Sequence, residues 1–169
     1  MKLHIGGKEV KEGWKILNIQ PGPGVDFVGD LSNLAQFADR SVDEIYASHV
    51  LEHVPQGGVP QTIAGLYRVL RRGGRLMIAV PDMDVLCRVF LRPDLDTKTR
   101  YEFMRIMFGG QIDDNDYHFF GWNFEFLQHF LDEAGFMSVA RVDNFGLFDD
   151  TSNYRPLGEP ISLNVVAIK

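Results

Sequence analysis

The chain has 169 residues, of which 45% are hydrophobic and 24% charged, and its net charge is −6. That length suits one domain, spanning residues 1–169, with a substantial core, and the acidic balance argues against a general nucleic-acid or anionic-membrane binder. No apolar run is long enough to span a bilayer and no signal-peptide pattern opens the chain, so neither membrane nor export is expected. The single cysteine, Cys87, has no partner for an internal disulfide, which suits a reducing, cytoplasmic setting. Its neighbours Val85, Leu86, Val89 and Phe90 predict a buried, inert thiol.

Leu3–Ile5 runs into Gly6-Gly7 and reads as a first strand and its turn. Trp14–Ile19 reads as a second strand, and Gln20–Gly24, rich in proline and glycine, as a loop. Val25–Val28 is a third strand candidate whose pairing the sequence leaves open, and Asn33–Phe37 a short helix or turn. The run ILNIQPGPG imitates a first strand with a glycine loop. Only 17 residues separate Gly24 from Val42, however, and one parallel crossover takes about a dozen. Leu3–Ile5 is therefore the better first strand, and the N-terminal half is abbreviated.

Val42–Ser48 is a strand with an apolar body, followed by a loop carrying His49, Glu52 and His53. Ile63, Leu66, Tyr67 and Leu70 fall at helical spacing and predict a helix over 60–70, opened by Pro60 and stopped by Gly73-Gly74. The arginines Arg68, Arg71 and Arg72 read as helix-end and surface charge. Leu76–Val80 is uniformly apolar, as for a strand buried on both faces. Strand, helix and buried strand make a βαβ unit.

Helices are expected over 83–91, 97–108 and 123–134, the last with Asn123 as N-cap and Gly135 as its stop. Strands are expected over 139–142 and 161–168, with a long irregular stretch over 144–160. Strands alternating with helices give an α/β class with a mostly parallel sheet.

In such a sheet a ligand lies beyond the carboxyl ends of the strands. Those ends supply Gly6 and Gly7, then Asn18 and Ile19, then Gly29, Asp30 and Leu31, then Ser48, His49 and Glu52. Each has a plainer reading: Gly6-Gly7 as a turn, Asn18 as a turn-forming amide, Asp30 as a turn or cap residue. The run His49-Val50-Leu51-Glu52-His53 matches H-x-x-E-H, but zinc on that pattern needs a helix through both histidines and a further ligand, so no metal is expected. Tyr117–Trp122 is an aromatic cluster around His118, readable as packing or as a lid with a general base. His4 reads as structural and His129 as solvated. The dinucleotide fingerprint and the phosphate-loop pattern are both absent.

Three runs, FADRSVDEIYASHVLEHV, LYRVLRRGGRLMIAVPD and FLDEAGF, lie in order within residues 26–136. Together they resemble class I S-adenosylmethionine-dependent methyltransferases of the small type-11-like group. The resemblance implies a Rossmann-like methyltransferase fold with helices on both faces of the sheet, S-adenosylmethionine as cofactor and a small-molecule acceptor. It places Gly6 and Gly7 at the methionine end, with Lys8 replacing the family's second glycine. It places Asn18, beside Ile19, where the family has an acidic residue for the ribose. Asp30 and Leu31, after Gly29, fall at the adenine, and Ser48-His49 on the adjacent wall. His49 and His118 are the candidate bases. The departures at Lys8 and Asn18 keep a second reading open: a methyltransferase-like binding or regulatory module without activity. The exposed sheet end and the aromatic late loops are compatible with a homodimer.

Overall fold

The computed structural model describes residues 1–169. Seven strands form one sheet: β1 (Lys2–Ile5), β2 (Trp14–Asn18), β3 (Phe27–Val28), β4 (Val42–Ser48), β5 (Leu70–Pro81), β6 (Met137–Arg141) and β7 (Ser162–Ile168). Their spatial order is β3-β2-β1-β4-β5-β7-β6. The pairings from β3 through β5 are parallel, and β7 runs antiparallel to both of its neighbours. Leu3–Ile5 is thus the first strand, inside the sheet between β2 and β4, and Phe27–Val28 pairs in parallel with β2, the neighbour the sequence left open.

Four helices complete the fold: α1 (Val59–Val69), α2 (Met83–Phe90), α3 (Thr97–Phe108) and α4 (Phe124–Glu133). Alternation along the strands separates two faces. Leu3, Ile45, Ala47, Leu76, Ile78 and Val165 point to the main core, where Ile63 and Leu66 of α1 and Leu127 and Leu131 of α4 cover them. On the opposite face Trp14, Tyr46 and Met77 meet Phe148 from the loop after β6. His4 lies in this layer, its ring 4.1 Å from that of Phe148. The β1–β2 and β2–β3 connections are too short for crossover helices, so an aromatic loop does that covering. Tyr46 anchors it by donating its hydroxyl to Asp150 at 2.8 Å. Helices α2 and α3 pack on each other around Ile161, beside the end of β5.

Two local expectations are corrected. Gly73 and Gly74 do not stop α1, which ends at Val69 with Leu70 already extended. Leu70 is fully buried and pairs with Val42, and the register then jumps to Glu44–Arg75, so Arg71–Gly74 forms a bulge within β5. A Cβ on Gly74 would stand 2.8 Å from the Arg71 carbonyl oxygen, which is why the bulge needs glycine. The thiol of Cys87 is exposed, not buried. With Val85, Leu86 and Val89 facing inward, position 87 falls with Asp84 and Arg88 on the outer side of α2. The arginines after α1 do more than end a helix. Arg68 donates to Asp39 at 2.6 Å and to the carbonyls of Leu34 and Phe37, pinning the β3–β4 connection.

Candidate active site

The carboxyl ends of β1 to β4 open on one cleft of about 340 Å³, lined by Gly6, Asn18, Ile19, Gly29, Asp30, Leu31 and His49 among others. Seven of the nine residues expected at a cofactor site therefore meet in one place. Gly7 and Ser48 do not line it. Gly7 is turned onto the His4 ring, which a Cβ there would strike at 2.5 Å, so its role is packing. Ser48 keeps its hydroxyl buried without a hydrogen-bond partner.

Each strand end is shaped by its own sequence. Gly6 has φ of +75°, and a Cβ there would lie 2.3 Å from Val50 Cγ1; only glycine turns the chain there without strain. The Gly29 amide donates to the Asn18 carbonyl at 3.0 Å, holding the ends of β2 and β3 together. The Asn18 side chain donates to the Gly7 carbonyl at 3.1 Å and accepts the Gln20 amide at 3.0 Å. Asp30 is exposed and accepts the Ser32 amide on Oδ1 at 2.6 Å, an Asx turn that leaves Oδ2 without a protein donor. Exposed Ile19 and buried Leu31 supply apolar wall.

The far wall was legible only in part in the sequence. His53, Val54 and Pro55 follow β4, and Asp113, Asp114, Asn115 and Phe119 come from the segment before α4. The Tyr117–Trp122 cluster, readable as a lid, pointed to Phe119; Asp113–Asn115 carried no specific signal. The segment is latched by backbone: the Phe119 amide donates to the Glu52 carbonyl at 2.8 Å, and His53 Nδ1 bonds the Tyr117 carbonyl at 3.0 Å. Of the aromatic cluster, Trp122 is fully buried and stacked on Phe120, while Tyr117 and Phe119 are exposed.

Neither candidate base stands free in the cleft. His49, at φ of +52°, lies with Nε2 2.9 Å from Ser162 Oγ and Nδ1 3.2 Å from Glu52 Oε1. Each ring nitrogen thus already faces a polar group of the chain itself. His118 does not line the cleft; its ring packs edge-on against that of His53, with centroids 4.9 Å apart. Burial lowers the His118 pKa, against the opposing pull of Glu52. Glu52 itself is completely buried. Burial would raise its pKa, but His49, His53 and His118 hold it below the usual carboxylate value. The run from Leu51 to His53 is one 3-10 turn, so His49 and His53 do not share an α-helix.

No helix is long and apolar enough to cross a membrane. A family model described as a methyltransferase domain matches residues 8–78. A ubiquinone/menaquinone biosynthesis C-methyltransferase UbiE of Dinoroseobacter shibae is 33% identical over 130 residues, covering 77% of this chain and 47% of the relative. The chain thus spans about half the length of that curated relative. Among solved structures, a SAM-dependent methyltransferase from Archaeoglobus fulgidus superposes with a TM-score of 0.63 at 16% identity, covering 99% of this chain and 85% of the other. The Burkholderia thailandensis 1,6-didemethyltoxoflavin-N1-methyltransferase, solved with 1,6-didemethyltoxoflavin and S-adenosylhomocysteine, gives 0.61 at 16% identity, covering 99% and 70%. Sheet order, strand-end cleft, domain match and relative agree: the chain carries a methyltransferase-domain match over residues 8–78 and has the fold of the S-adenosylmethionine-dependent methyltransferases.

Proposed function

We propose that this chain transfers a methyl group from S-adenosylmethionine to a small-molecule acceptor. One observation carries the reading: four parallel strand ends deliver Gly6, Asn18, Ile19, Asp30, Leu31 and His49 to a single cleft at the place where such folds bind ligands. The residues fit the cofactor. Gly6 gives side-chain-free backbone in the cleft, Asp30 keeps one carboxylate oxygen unused by the chain as an acceptor, and Ile19 and Leu31 offer apolar walls to a flat base. Asp30 and Leu31 would hold the adenine, Asn18 the ribose through the lone pair its turn leaves unused, and Gly6 the methionine end. The cofactor, when bound, supplies an electrophilic methyl on a sulfonium. What the chain then contributes is position: a reactant held in line gains most of the acceleration from lost freedom already surrendered on binding. Phe119, His53 and Asp113–Asn115, on the opposite wall, would select and orient the acceptor. His49 holds the end of β4 in shape and is not the base in this arrangement.

The test is calorimetric titration of the chain with S-adenosylhomocysteine, beside an Asp30→Ala variant. Micromolar binding that weakens at least tenfold in the variant is expected. One observation favours a second reading, a binding module without transferase activity: the Asn18 amide is committed at both ends to the chain's own backbone, and Lys8 also lines the cleft. A folded chain that fails to bind S-adenosylhomocysteine at millimolar concentration would sink the first reading in favour of the second.

A further inference from the structure

Behind the cleft wall, Glu52, His53 and His118 bring ligand atoms within 4.8 Å of one another. Two of the three come from the turn after β4 and the third from the segment before α4. Glu52 is fully buried, and neither carboxylate oxygen accepts a hydrogen bond. A buried carboxylate without donors is costly, and native structures seldom leave one so.

Proton accounting sharpens the point. Ser162 has one hydroxyl proton, which it donates to the Thr151 carbonyl at 2.9 Å. While it does so, His49 Nε2–H donates the 2.9 Å contact to Ser162 Oγ and Nδ1 meets Glu52 Oε1 at 3.2 Å with a lone pair; the other tautomer accepts from Ser162 and donates Nδ1–H to Oε1. Neither tautomer reaches the second carboxylate oxygen of Glu52. His53 is fixed: a carbonyl only accepts, so Nδ1 carries the proton given to Tyr117, and Nε2 is left with its lone pair. One ring nitrogen of His118, Nδ1, is buried and unpartnered, and Nε2 is 4.0 Å from Glu52 Oε1. A single extra proton can mend the contact between His49 and Glu52. It leaves the other carboxylate oxygen and His118 as they are. A cation among them can take the Glu52 carboxylate, the His53 Nε2 lone pair and one nitrogen of His118 at once.

From this geometry we propose that Glu52, His53 and His118 bind a divalent transition-metal ion, with His49 beside them. Bonds of about 2.0–2.2 Å to a tetrahedral zinc ion put donor atoms about 3.3 Å apart, so the observed spacings close by side-chain movement of about an ångström. Two imidazoles and one carboxylate suit zinc, cobalt, nickel or iron rather than calcium or magnesium, which take oxygen. The bond from His53 Nδ1 to the Tyr117 carbonyl is the outer support that ligating histidines characteristically have. The site differs from the zinc pattern of His49–His53: its third ligand comes from His118, and it needs no helix through both histidines. Bound metal would clasp the segment of Tyr117–Phe120 to the end of β4, fixing the wall that carries Phe119.

The test uses the whole chain freed of metal by chelation and needs neither cofactor nor methyl transfer, so it stands apart from the reading above. Co²⁺ is added and followed by visible absorption, and Zn²⁺ by calorimetry. One equivalent bound at micromolar concentration or tighter, with Zn²⁺ displacing Co²⁺, is expected. Glu52→Gln and His118→Gln should each weaken binding at least tenfold, and His129→Gln, on the exposed side of α4, should leave it unchanged. If Glu52→Gln fails to fold, the partly exposed His53 carries the test as His53→Gln. No stoichiometric binding by the unaltered chain, or binding indifferent to the substitutions in the folded variants, would overturn the proposal.

Discussion

The carboxamide of Asn18 donates to the carbonyl of Gly7 at 3.1 Å, tying the loop after β1 to the end of β2. Its oxygen accepts from Gln20 at 3.0 Å, so one side chain sets the shape of two loops of the cleft. Asn18→Ala removes both bonds, at about 1 kcal/mol each. Urea unfolding should show a loss of about 1–2 kcal/mol, and S-adenosylhomocysteine binding should weaken several-fold as the loops spread. Asn18→Asp should lose comparable stability, because a carboxylate cannot donate to the Gly7 carbonyl and stands against it. Unchanged unfolding free energies in both variants would show that neither bond matters.

Gly6 has no room for a methyl group. Gly6→Ala should destabilise by more than about 1 kcal/mol, combining a positive-φ strain with the overlap on Val50 Cγ1. Val50→Ala made on top of it should recover part of that loss, since only the steric share is relieved. Thermal melts of the four members of the cycle measure the coupling. Strictly additive effects would mean the contact does not limit the site.

His4, between Phe148 and Tyr46, has its pKa lowered from 6.5 to about 4 by burial, against a smaller upward pull from Asp150. A histidine that resists protonation when folded leaves the unfolded chain binding more protons between those values. Its stability contribution is therefore complete above about pH 6.5 and falls as pH drops toward 4, by on the order of 3 kcal/mol. Unfolding free energies measured across that window should decline with acid in the unaltered chain and decline less in His4→Leu. An identical slope in both would assign the acid sensitivity to other groups.

Cys87 lies on the outer side of α2. A disulfide reagent such as Ellman's should titrate one thiol in the native chain at the rate seen in denaturant. Protection by more than about tenfold would contradict its exposure.

Much of the fold was legible because its signals are local. The apolar runs of β4, β5 and β7, the helical spacing of Ile63 and Leu66, and the Asn123 cap, which accepts the Phe126 amide at 2.9 Å, all act over a few residues. Loop length identified Leu3–Ile5 as the first strand. Where local signals conflicted the reading failed. Gly73-Gly74 resembles a helix stop, but burial of Leu70 drew the chain into the sheet one turn earlier. Cys87 sits among apolar neighbours, yet each step along a helix turns about a quarter of a circle, and that placed it outside.

By itself, the sequence determined the α/β class, the positions of the strands and the collection of their carboxyl ends into a site. Those follow from periodicity and turn chemistry, which neighbouring residues settle among themselves. Tertiary structure alone decided what each site side chain does. It committed the Asn18 amide to backbone, turned Gly7 onto His4, engaged both nitrogens of His49, and brought His118 to Glu52 and His53. Convergence between residues far apart in the chain depends on how the elements pack and on where buried polar atoms find partners, and no local pattern encodes it.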